Sequence, residues 1–185
     1  MPLTTYTSGQ VLTAASLNAN FSFAAGGVIQ VKSAVKTDTF TASVASGTST
    51  AITGVSVSIT PTSASNKVLV VAQITGGTSD GGGGTYFTLK RGATSIGIGD
   101  AASTRQRVTT GYIGVDTAQA ANSLINATIS FLDSPATTSA TTYSVEVSTA
   151  RDATVSVYIN RSNADAGAAY IARGASTITV FEVTP

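Results

Sequence analysis

From Gly27 onward the sequence is a succession of short Val/Ile/Thr/Tyr/Phe-rich segments separated by clusters of Gly, Ser, Asn, Asp and Pro. A chain punctuated in this way has no room for long helices, and its segments read as strands joined by turns. Eleven candidate strands follow: 28–35, 38–44, 51–60, 67–75, 85–91, 94–98, 108–115, 123–132, 141–149, 153–160 and 176–184. Apolar and hydroxyl side chains alternate most regularly in Val55–Thr60, Tyr143–Ser148, Val155–Ile159 and Ile178–Val183. Such a strand buries one face and wets the other. The expected class is therefore all-β, an antiparallel β-sandwich of jelly-roll type or a barrel. Val68-Leu69-Val70-Val71-Ala72 is apolar without a break, as in a central strand covered on both faces or one that ends in a subunit interface.

Residues 1–26 differ in pattern and are read as an N-terminal arm, with the β-domain spanning 27–185. Within the arm, Thr13 is an N-cap type residue, and Ala14, Leu17 and Phe21 fall on one face of a short helix. At about two turns the helix cannot stand alone in water and must dock. It either closes one end of its own domain or attaches the chain to a neighbour.

Charged residues make up only 10% of the 185 residues, against about 25% in ordinary soluble domains. The surface must instead be covered by Ser, Thr, Asn, Gly and Ala, and with a formal charge of +1 it repels copies of itself weakly. Self-association is expected. The basic residues are scattered rather than striped, which argues against nucleic acid as a partner. The longest apolar run, Val68–Ala72, is far too short for a membrane-spanning helix, and the first residues lack the basic and apolar regions of a secretory signal.

The chain has no Cys, no His and no Trp, so disulfides and zinc or copper sites built on N/S ligands are not expected. The seven Asp are isolated, giving no calcium loop. A Ser or Thr nucleophile would need one of four lysines as its base, and no Ser-x-x-Lys or Gly-x-Ser-x-Gly pattern is present. Two carboxylates could serve a glycosidase, and Glu146 with Glu182 is the available glutamate pair. Both are read on strand faces turned to solvent, as surface residues. Gly81–Gly84 lacks the Lys-Ser/Thr and helix of a phosphate loop and is read as a loop tip. No catalytic residue, cofactor or metal is expected, and the chain is read as a non-enzyme.

Two stretches carry a resemblance. Tyr6–Phe21, containing Gly9-Gln10-Val11-Leu12-Thr13-Ala14-Ala15-Ser16-Leu17-Asn18, resembles the segment that opens many tail-fibre and related virion proteins of tailed bacteriophages. Val28–Val31, Val57–Val70, Phe131–Tyr143, Ile159–Ser162 and Arg173–Glu182 resemble a small β-domain found among structural genes of environmental and cyanobacterial phages. The resemblance implies a homotrimeric component of the virion, acting as a tail fibre or adhesin. In this reading Tyr6, Val11, Leu12, Leu17 and Phe21 attach the arm to other virion proteins. Loops 76–84, 100–107 and 161–174, with Tyr86, Arg105, Arg107 and Tyr170, would contact a host surface glycan or protein. The alternatives are a trimeric capsid decoration or cement protein and a polysaccharide-degrading tail spike. Arg161 and Arg173 are expected to pair with Asp133, Asp152 or Asp165, within or between subunits.

Overall fold

The alternating segments do become strands. The computed structural model describes residues 5–11, 13–18, 27–79, 84–113, 121–149 and 153–185. Among them lie β1 (Val28–Lys36), β2 (Phe40–Val44), β3 (Ser49–Ile59), β4 (Lys67–Thr78), β5 (Gly84–Arg91) and β6 (Thr94–Ile96). They are followed by β7 (Thr110–Ile113), β8 (Ile125–Asp133), β9 (Thr141–Thr149), β10 (Val155–Ile159) and β11 (Ser176–Val183). Every strand pairing is antiparallel, and the strands form two sheets of six and five.

In the six-stranded sheet β4 is the spine. Strand β8 runs along one side of it; on the other, β11 pairs with Lys67–Gln73 and β10 with Gly76–Thr78. Strand β1 flanks β11, and β2 flanks β10. In the five-stranded sheet the order is β3-β9-β5, with β6 and β7 both on the far side of β5. Inward-facing Val70, Ile74, Ile129, Val157, Ile178 and Val180 of the first sheet and Ile59, Phe87, Leu89, Tyr143, Val145 and Val147 of the second are buried in one core. Each such side chain stabilises the fold by about 1.5–3 kcal/mol relative to exposure.

Alternation alone would misplace part of β3. Between Ala51 and Ser56 the register against β9 shifts, and Gly54 takes a positive φ of 86°. This bulge lets Ile52 and Val55, three positions apart, both point inward.

Three buried polar clusters join the elements. Asn160, fully buried at φ 62°, sits where β10 gives way to the excursion before β11. Its N–H donates to Thr75 O at 2.8 Å and its carbonyl accepts from Gly174 N at 3.0 Å. Its Nδ2 donates to Lys36 O and Asp38 O, and its Oδ1 accepts from Ser176 Oγ at 2.7 Å. One side chain thus closes the gap in a ladder where β1 breaks into β2 and β10 into β11. At Asp133 the carboxylate accepts from Arg91 Nη1 at 2.9 and 3.0 Å and from the Tyr143 hydroxyl at 2.7 Å. Burial, and then the neighbouring carboxylate, push the Tyr143 hydroxyl far above its usual range.

Glu182 forms the third. It is fully buried, and its carboxylate accepts from Gln30 Nε2 at 2.6 Å, Thr62 N at 2.7 Å, Thr62 Oγ1 at 2.8 Å and Asn66 Nδ2 at 2.5 Å. The sequence reading put Glu182 in solvent; it shares its face with Ile178 and Val180 and points into the core. Gly76–Thr78, read as the start of a loop, belongs to β4. Finally, Gly27 and Thr184 are bonded to each other, Thr184 N to Gly27 O at 3.2 Å and Gly27 N to Thr184 Oγ1 at 3.3 Å. The two ends of the β-domain therefore leave from one corner.

Candidate functional site

With the core accounted for, the outer faces of the two sheets remain. On the six-stranded sheet the register aligns Val31 of β1 with Phe181 of β11, Phe181 with Leu69 of β4, and Leu69 with Leu132 of β8. Their neighbours Val180 and Val70 are buried, so this row faces outward. At about 4.8 Å between strands it spans about 14 Å. Val31 and Leu132 are half exposed, at 50% and 49%, and Val71 and Val35 extend the apolar surface beside them. The unbroken run Val68–Ala72 is thus explained: Val68, Val70 and Ala72 fill the core, while Leu69 and Val71 belong to a face that the described residues leave partly exposed. Among the described residues Val71 is exposed and Leu69 only partly buried, so the run is not fully covered on both faces there.

The outer face of the five-stranded sheet is built oppositely. On β5, Tyr86, Thr88 and Lys90 point outward, and β9 sets Ser148, Glu146 and Ser144 beside them. Glu146 Oε2 accepts from Ser49 Oγ at 2.7 Å and lies 3.7 Å from Lys90 Nζ. Lys90 Nζ also reaches Ser95 Oγ at 3.2 Å. The segment after β6 folds back over this face. Gln106 Nε2 donates to Thr149 O at 2.7 Å and its Oε1 accepts from Ser148 Oγ at 3.0 Å, while Arg107 Nε donates to Gly99 O at 2.7 Å. Between this segment and the strands lies an open cleft of about 260 Å³.

Tyr86 closes one end of that face. A Cβ at Gly84 would lie 2.8 Å from its ring, and one at Gly111, its partner on β7, 2.6 Å. The ring lies against the backbone of two glycines, an approach no larger residue would permit.

Of the residues singled out in the sequence, Arg107 lines the cleft, Tyr86 lies outside it over Gly84 and Gly111, and Arg105 is exposed on the same segment as Arg107. Tyr170 does not join them; it is 74% exposed on the excursion between β10 and β11. In the arm, Thr13 caps the turn 14–18 as expected, its Oγ1 accepting from Ser16 N at 3.2 Å. Val11 is exposed, Leu17 is 39% exposed and Tyr6 is half-buried. Leu12 and Phe21 lie outside the described residues. Gln106, Ser148, Thr88 and Lys90 were not anticipated as a cluster, although the outward alternation of β5 and β9 carries them.

Arg173 pairs with Asp165 in a two-pronged contact of 2.8 to 3.1 Å, which holds that exposed carboxyl below its usual range. Asp133 is taken by Arg91 instead, and Asp152 lies outside the described residues. Arg161 stacks 4.0 Å above the Tyr158 ring and donates to Ser162 O and Asn163 O. The glutamate pair is not brought together: Glu146 lies on the outside of one sheet and Glu182 inside the other.

No family model matches the chain, and no curated protein does. Among solved structures it is similar to that of infectious bursal disease virus Gt strain, with TM-score 0.42 and 16% identity over 84% of this chain and 38% of that one. The Gx strain structure gives 0.41 and 13% over 84% and 42%. The VP2 subviral particle of the same virus gives 0.42 and 15% over 84% and 42%. The chain spans about two fifths of the length of these matched chains.

Proposed function

We propose that the chain is a homotrimeric structural protein of a virus particle, acting as a phage tail fibre or adhesin and not as an enzyme. The observation that carries this reading is the uncovered apolar row Val31–Phe181–Leu69–Leu132. An exposed row of this kind marks an interaction surface. A second copy is its natural occupant, because a chain with a formal charge of +1 and 10% charged residues offers little repulsion to its own kind. The resemblance of Tyr6–Phe21 to the opening segment of phage virion proteins supports the setting, with the arm binding other virion proteins.

The strand order supports a jelly roll. If β1 with β2, β10 with β11, and β6 with β7 each count as one broken strand, eight strands form two four-stranded sheets, and successive strands change sheet everywhere except from β5 to β6/β7. Jelly rolls serve viral capsid and lectin domains alike, and such an analogy does not choose between them. The same trimer and arm would suit a capsid decoration or cement protein. A polysaccharide-degrading spike is disfavoured, because Glu182 is locked in a buried network far from any shared cleft with Glu146. Light scattering of the purified protein tests the trimer: three times 18.4 kDa is expected, and a monomer at micromolar concentration would sink it. Imaging of the particle then separates tail from capsid three-fold positions.

A further inference from the structure

We infer that the apolar row Val31–Phe181–Leu69–Leu132 is covered by the arm of a neighbouring copy, with Val11, Ala14 and Leu17 as its contact residues, so that arms are exchanged between chains. This rests on the self-assembly reading of the row and names the segment that occupies it.

The shape and place of the row select a segment over a second sheet. The next rows along the strands are Ser33–Thr179–Val71–Ser130 and Val35–Thr177–Gln73–Thr128, so hydroxyl and amide side chains take over at once. Towards the corner at Gly27, the row Val28–Val183–Lys67 ends in a charge. Two sheets that pack face to face need broad apolar faces about 10 Å apart. A strip one to two residues deep and about 14 Å long instead matches the apolar stripe of a short helix. The strip also lies at the root of the arm. Val31 is four residues beyond Gly27, about 13 Å along an extended strand, and Gly27 is bonded to Thr184 at the corner where the β-domain begins.

The arm has the matching chemistry. Residues 1–26 carry no charged side chain, so none has to be stripped of water when the segment is buried. Val11, Ala14 and Leu17 are exposed, and Val31 and Leu132 are half exposed. Among the described residues these two apolar surfaces of one chain do not cover each other, and a helical turn as short as 14–18 needs a support. Exchange between copies covers both surfaces. Nine residue steps separate Asn18 from Gly27, a span of up to about 30 Å, enough to pass the edge of the chain's own sheet and reach a neighbour.

The chain has no cysteine, so introduced thiols report on this contact alone. Full-length L17C and L132C chains with different affinity tags are co-expressed, oxidised with copper phenanthroline and separated on a non-reducing gel. A disulfide-linked pair bearing both tags is expected. It should be roughly fivefold more abundant than when A93C, in the turn between β5 and β6, replaces L132C, because a disulfide needs Cα atoms within about 7 Å. L17D guards against a thiol variant that misfolds, since Leu17 lies outside the core. It should raise the concentration at which the trimer dissociates by roughly tenfold or more, the worth of one buried leucine. A trimer with no excess of the mixed link over the control, or an L17D trimer as tight as the wild type, overturns arm exchange and leaves the assembly reading intact. A monomer by light scattering overturns both.

Discussion

Glu182 is buried, which by itself raises a carboxyl's pKa, yet hydrogen bonds from Asn66, Gln30 and Thr62 more than reverse this and bring it down to about 2. In the unfolded chain it titrates near 4.5. The folded form therefore binds its proton less readily, so its stabilising effect is full above about pH 4.5 and is lost as pH falls towards 2. The size is about 3 kcal/mol. Thermal melts should show the wild type losing stability across that window. E182Q, which turns an amide donor towards four donors, should start about 3 kcal/mol lower at pH 7 and change less between pH 4.5 and 2. A wild-type melting point flat from pH 5 to 2 would refute this role. The residue also shows what alternation can and cannot tell. Ile178, Val180 and Glu182 share parity, so its inward placement was readable, but a lone buried carboxylate is tolerated only because a turn 116 to 120 positions away in the sequence supplies donors, and Thr62 and Asn66 look from the sequence like plain turn residues.

At the scale of elements the strands were legible almost throughout, because period two survives over most of the half-buried strands. Where it broke, close packing was the cause. Gly76-Gly77 looks like a loop, yet it lies in β4 at the point where the neighbour changes from β11 to β10. A Cβ on Gly76 would collide with the carbonyl oxygen of Tyr158. The glycine marks two backbones pressed together, a use of Gly that local sequence cannot tell from a turn. G76A should cost about 2 kcal/mol by urea denaturation, whereas G99A, whose Cβ would meet nothing, should change stability by less than about 0.5 kcal/mol. Equal midpoints for the two variants would contradict this account. The bulge at Gly54 and the Asn160 cluster were hidden for a similar reason, since each depends on elements distant in sequence.

For the whole molecule the two outer faces differ: one sheet carries the apolar row Val31–Phe181–Leu69–Leu132, the other carries polar and charged side chains. The double variant V31K/L132K places two charges on the apolar row without touching the core. It should shift the mass to 18.4 kDa while the variant still unfolds in a single cooperative transition by urea denaturation. A trimer that persists would place the interface elsewhere. The polar face was only half legible: Arg107 stood out as a single residue, but its place beside Glu146 and Lys90 in the cleft depends on the fold-back after β6, which no local pattern encodes.

The bonds between Gly27 and Thr184 also decide how the domain bears load. Strands β1 and β11 are antiparallel and start and finish at the same corner, so a pull applied between residues 27 and 184 meets their hydrogen bonds one pair at a time and opens them like a zip. A pull between residue 27 and the cleft across the sandwich instead reaches β1 through the packed core and must strain many contacts together. Force entering at residue 27 and leaving through the far sheet would thus run along the resistant direction, with the weak seam left out of its line.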